Sequence, residues 1–131
     1  MTRRVLIGGG LVALLGTGVL VPLLAGENAK AREVVLIARD MSFRVPGQPE
    51  DNPVIRVDSG ETIRLVLQND DDGIHHDLSV PEWGVGVAAL PSGTRGIVDV
   101  RVPDKPGRVD YICKRHGVMM KGIIEIGRAG L

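Results

Sequence analysis

The chain has 131 residues, and its 16 Lys and Arg balance its 16 Asp and Glu, so it carries no net charge. Such a balance lacks the strong basic excess of a nucleic-acid binder, and the length past the N-terminal segment suffices for one compact domain but not two. The single cysteine, Cys113, excludes an internal disulfide.

The first third differs from the rest. Thr2-Arg3-Arg4 precedes an uncharged run from Val5 to Ala25, and Ala29-Lys30-Ala31 has the small-x-small form that a signal peptidase accepts. The run has about the length of a membrane-crossing helix, although its glycines and Pro22 weaken it as one. Thr2-Arg3-Arg4-Val5 also loosely resembles a twin-arginine signal. Residues 1–31 therefore read as a hydrophobic helix serving as a cleaved signal or an uncleaved anchor. Either reading exports residues 32–131 to the periplasm or another extracytoplasmic space, with residues 5–25 as the membrane attachment in the second case. Setting aside Arg3, Arg4, Lys30 and Glu27 leaves the remainder slightly acidic.

From residue 32 onward, short apolar or alternating runs are cut by Gly, Pro and Asp. Strands are expected at Glu33–Ala38, Val54–Val57, Thr62–Gln68, His76–Val80, Val85–Leu90, Gly96–Val102, Arg108–Cys113 and Ile123–Ile126. In Thr62–Gln68, Ile63, Leu65 and Leu67 fall on one face and Arg64, Val66 and Gln68 on the other, the period of a half-buried strand. Aromatics are limited to Phe43, Trp83 and Tyr111, so Val, Ile and Leu must build the core, and they favour strands. No segment after Ala31 has a helical period. The spacing of the turns predicts an all-β sandwich or barrel. Asn69-Asp70-Asp71-Asp72-Gly73 reads as a solvated loop; it lacks the later ligands of a calcium-binding loop.

Chemistry concentrates near the C-terminus. Cys113, His116 and Met120 put a thiol, an imidazole and a thioether on one short loop, and His75-His76 heads a strand upstream. Singly, each has a plainer reading: a buried Cys is a small core hydrophobe, a lone His sits at the surface, and a Met fills core. Together, two His, one Cys and a weak Met form the donor set of a mononuclear blue-copper centre. A structural zinc site would use four strong ligands, and Cys113-x2-His116 has no matching second half. A catalytic Cys–His pair needs an orienting group and a substrate pocket, for which a domain this small has little room. The protein is expected to have no enzymatic activity of its own.

The block Asp110-Tyr111-Ile112-Cys113-Lys114-Arg115-His116-Gly117-Val118-Met119-Met120-Lys121-Gly122 resembles the C-terminal copper loop of cupredoxins, the plastocyanin and azurin superfamily. Asn69…His76-Asp77-Leu78 is similar to their first-ligand region, and Pro106-Gly107-x-Val109-x-Tyr111-x-Cys113 to their penultimate strand. The resemblance implies a Greek-key β-sandwich of seven or eight strands holding one copper ion that cycles between Cu(I) and Cu(II). It implies His76, Cys113, His116 and Met120 as ligands, with His75 and Met119 as alternates. His76 is favoured by the following Asp77-Leu78, and Met120 by the following Lys121-Gly122. Asp77 and Asn69 would support the site by hydrogen bonds around the ligands. Gly117, Val118 and Met119 would form the docking surface, with Lys114 and Arg115 steering an acidic partner. The implied function is single-electron transfer between redox proteins such as a cytochrome, an oxidase or a reductase, by a monomeric domain. A copper carrier and an anchored copper-binding subunit use the same ligands and stay open.

Overall fold

A computed structural model of the chain describes residues 30–130. The signal-or-anchor expectation for residues 1–31 falls almost wholly outside them. Among the described residues, no helix is long and apolar enough to cross a membrane.

Among the described residues, nine strands form two sheets: β1 (Arg32–Arg39), β2 (Ser42–Arg44), β3 (Ile55–Asp58), β4 (Thr62–Asn69), β5 (His76–Val80), β6 (Val85–Leu90), β7 (Arg95–Arg101), β8 (Gly107–Ile112) and β9 (Lys121–Gly127). One sheet has the order β2-β1-β4-β7 and the other β3-β9-β8-β5-β6. The chain passes back and forth between them, as a Greek-key sandwich requires. The eight expected strands are present, two of them (His76–Val80 and Val85–Leu90) with the expected ends and the others with ends shifted by at most two residues. β2 and a short 3-10 turn at Pro81–Trp83 are additional to them.

Strand alternation generates the core. β1 buries Val34, Leu36 and Ala38, and β4 buries Ile63, Leu65 and Leu67, aligned by parallel pairing of the two strands. Val66, expected on the outward face, is also fully buried, flanked in register by Val35 and Ile97. From the opposite sheet, Val109, Tyr111, Ile124 and Ile126 close the core.

The β1–β2 connection is unusual. Asp40 and Met41 form a two-residue hairpin turn with both φ values positive, 51° and 57°. Such a turn usually takes Asn or Gly at these positions. Here the backbone N–H groups of Asp40 and Met41 donate to the Asp71 carboxylate, at 2.6 and 3.1 Å, which offsets the left-handed strain from outside the hairpin.

At the other end, Glu61 accepts from Arg32 Nε at 2.6 Å and from Arg32 Nη2 and the Asp58 N–H at 3.0 and 2.9 Å. The Arg32 contact leads in holding the Glu61 carboxyl below its ordinary value. A carboxyl lowered on folding adds stability that is complete above its unfolded pKa of about 4.3 and is lost as pH falls through the folded value. Because Arg32 is half exposed, solvent screening keeps the contribution below about 1 kcal/mol. Urea melts of the wild type and Glu61→Gln should differ by that small amount at pH 7 and converge as pH falls through the lowered folded value.

Candidate metal centre

Strand β8 delivers Cys113 at its C-terminal end, and β9 begins directly after Met120. The intervening loop is tied to itself. The Cys113 N–H donates to the Met120 carbonyl at 3.0 Å, and the His116 N–H to the Cys113 carbonyl at 3.1 Å. The Met119 and Met120 N–H groups both donate to the His116 carbonyl at 2.9 Å. Asn52, in the β2–β3 connection, braces the loop: its side-chain amide donates to the Met119 carbonyl at 2.9 Å while its Oδ1 accepts from the Phe43 N–H of β2. No motif marked Asn52 for this task.

The loop meets β5 at His76. His76 Nδ1 lies 3.9 Å from Cys113 Sγ, and His116 Nδ1 lies 3.6 Å from it. The donor atoms of His76, Cys113 and His116 all fall within 4.8 Å of one another. The two rings meet edge to face with centroids 5.0 Å apart. Met120 is fully buried and completes a four-residue cluster with them. The adjacent candidates point elsewhere: His75 is exposed and Met119 is 53% exposed. His76 and Cys113 are buried, whereas His116 is partly open to solvent. Around it Lys114, Arg115, Val118 and Met119 are exposed.

Asp77 connects the two halves. β5 and β8 share a single register pair, Ser79 with Ile112. Beyond it, Asp77 Oδ1 accepts the Lys114 N–H at 2.8 Å, and Oδ2 lies 3.7 Å from Cys113 Sγ. Asn69 acts one layer out. Its amide donates to the Ile74 and Leu90 carbonyls, and its Oδ1 accepts the Asp71 N–H at 3.0 Å.

The Asp70–Asp72 loop departs from expectation at its centre. Asp70 and Asp72 make surface contacts with Arg39 and Ser92, but Asp71 is buried. Its Oδ2 lies 2.7 Å from His76 Nε2. Burial pushes the Asp71 carboxyl up, yet the N–H groups of Met41 and Asp40 and the His76 ring outweigh it and hold the group below its ordinary value. Three successive aspartates look alike in a sequence, so nothing in the pattern separates the buried one from its neighbours.

No protein-family model and no curated protein sequence matches the chain. Solved structures do. Rusticyanin from Thiobacillus ferrooxidans aligns with a TM-score of 0.58 at 21% identity, over 72% of this chain and 76% of that one. Auracyanin B aligns with a TM-score of 0.58 at 20% identity, over 74% and 89%. The chain has the cupredoxin fold. Copper nitrite reductase from Nitrosomonas europaea contains a similar unit, with a TM-score of 0.61 at 20% identity, and this chain spans only 43% of that enzyme.

In this cupredoxin fold the donor cluster suits one copper ion. Thiolate and imidazole bonds to a first-row ion of about 2.0–2.3 Å put two donors no more than about 4.6 Å apart; the sulfur–nitrogen separations of 3.6 and 3.9 Å satisfy that limit. Two borderline nitrogens, a soft sulfur and a thioether are the chemistry of a type 1 centre rather than of structural zinc.

Proposed function

We propose that the chain is an exported type 1 copper protein that carries single electrons between larger redox proteins. The observation carrying this reading is the convergence of His76 Nδ1, Cys113 Sγ and His116 Nδ1 beside buried Met120. Copper bound there supplies a one-electron couple.

The residues divide the remaining work. The Cys113 thiolate is a soft donor suited to the reduced ion, the imidazoles of His76 and His116 serve both states, and the weak Met120 thioether tunes the balance between them. The β5, β8 and β9 frame, locked by Asp77 and the loop hydrogen bonds, keeps the ligands from rearranging as the charge changes. The partly open edge of His116 is the exit for the electron. Val118, fully exposed, and Met119 give the partner an apolar contact beside it, with Gly117 allowing close approach. Lys114 and Arg115 would steer an acidic partner, an effect that weakens as salt rises. Partners of this kind are cytochromes, oxidases or reductases. Export rests on the basic start and apolar run of residues 1–31.

A copper-carrier reading draws on one observation: Met119 and His75 are soft or borderline donors exposed next to the buried pair, suited to handing an ion over. Stopped-flow mixing separates the two. The reduced protein is mixed with an oxidant of higher potential, and separately with a copper-accepting chelator. Electron exchange faster than copper loss supports the shuttle; copper loss faster than electron exchange would replace it with the carrier.

The choice of Met120 over Met119 has its own test. Met120→Leu removes a thioether from the dry interior, which destabilises the more highly charged ion, so the potential should rise. Met119→Leu should leave the potential and the visible spectrum unchanged. The reverse pattern would move the thioether ligand to Met119.

A further inference from the structure

Among the described residues, Asp71 is the one carboxylate hydrogen-bonded to an imidazole ring of the cluster, at the His76 nitrogen remote from the sulfur. We propose that Asp71 is a positioning residue that fixes the protonated nitrogen of His76 and tunes the centre toward the oxidised ion. The inference rests on the copper reading given above, with Asp71 acting through His76.

An ionised carboxylate only accepts hydrogen bonds. At 2.7 Å from Asp71 Oδ2, His76 Nε2 must therefore carry the proton. In the neutral ring, the form that can ligate a metal, that leaves the lone pair on Nδ1, the nitrogen 3.9 Å from Cys113 Sγ. His76 is completely buried, so water does not compete for Nε2. Asp71 is itself held in place. Its two oxygens take the Asp40 and Met41 N–H groups, and its own N–H donates to Asn69 Oδ1. The carboxylate thus cannot swing away from the ring without releasing the left-handed β1–β2 turn.

The electronic consequence follows. A carboxylate accepting from the far nitrogen of a ligating imidazole raises the basicity of the near one. It also adds negative charge one ring away from the ion. Both effects favour Cu(II) over Cu(I) and lower the potential. His116, partly open to solvent, has no carboxylate partner among the described hydrogen bonds, so the two imidazoles are unequal: a buried, carboxylate-backed donor and a surface-facing one.

Asp71→Asn in the full-length protein tests this. Asparagine removes the charge and offers an N–H or a weaker acceptor to Nε2. Removing such a support costs about 10–100-fold in metal affinity. The expected result is a loss of Cu(II) affinity at least tenfold greater than the loss of Cu(I) affinity. The potential rises accordingly, each tenfold difference corresponding to about 59 mV for a one-electron couple. Equal losses for both ions, or an unchanged potential, would reduce Asp71 to a brace for the β1–β2 turn, whatever the fall in stability. If the variant does not fold, ¹⁵N NMR of the wild-type metal-free protein reads the His76 ring directly. A proton on Nε2 is expected, and a bare lone pair there would overturn the proposal. A wild-type protein that binds no copper would remove the copper reading, while the NMR result would still decide whether Asp71 fixes the ring.

Discussion

Cys113→Ala abolishes the intense visible absorption of the copper-loaded protein and lowers Cu(II) affinity by more than about 100-fold, the upper range for losing only a supporting hydrogen bond. The colour depends on a thiolate bound to copper, and Cys113 is the chain's one source of a thiolate. Its sulfur lies 3.9 Å from His76 Nδ1 and 3.6 Å from His116 Nδ1, so replacing it removes one corner of the donor triangle. The fold should survive, because the lost group is small: about 1 kcal/mol by urea melts of the metal-free protein, a common cost for a single substitution. Absorption titration with copper and a parallel melt separate loss of the site from loss of the fold. A coloured Cys113→Ala protein would disprove the ligand assignment.

Tyr111→Ala should give the largest loss of stability, about 3–5 kcal/mol, as for other large aromatic truncations in cores. Marginal domains have only about 5–15 kcal/mol in total. The Tyr111 ring is fully buried and tilts against Phe43 with centroids 5.5 Å apart. Gly122, its register partner on β9, lies under the ring, where a Cβ would overlap it. The hydroxyl donates to the Pro53 carbonyl at 2.6 Å, pinning β8 to the segment leading into β3, and burial raises its pKa. Tyr111→Phe keeps the ring but leaves that carbonyl without its donor, for an expected cost of about 1–3 kcal/mol. Urea midpoints of both variants in the metal-free state check the order. A Tyr111→Ala loss no larger than that of Tyr111→Phe would mean the ring contributes little. Because Tyr111 sits two residues before Cys113, the same truncation should also loosen the copper loop.

These two sites show what was legible in the sequence. Alternating apolar residues and Gly- or Pro-marked turns indicate eight strands, since a half-buried strand writes its period directly into the chain. β2 has only three residues, too short for a period, and its preceding turn is Asp40-Met41, without Gly, Asn or Pro. The conformation is held instead by Asp71, distant in sequence. The same tertiary contact hides the role of Asp71, because aspartate in a polar loop ordinarily faces water. The Cys113–Met120 loop is readable because all its donors are local. In each adjacent pair, His75-His76 and Met119-Met120, the flanking residues favour the second member, and in each pair that second member is the buried one. Asn52 gives no such signal: its task of bracing Met119 emerges only when the β2–β3 connection folds beside the loop.

X-ray absorption at the copper edge of the copper-loaded, full-length protein tests the central claim most directly. The account predicts a first shell of one short copper–sulfur bond and two imidazole nitrogens. A shell of nitrogen and oxygen donors without the short sulfur bond would contradict it.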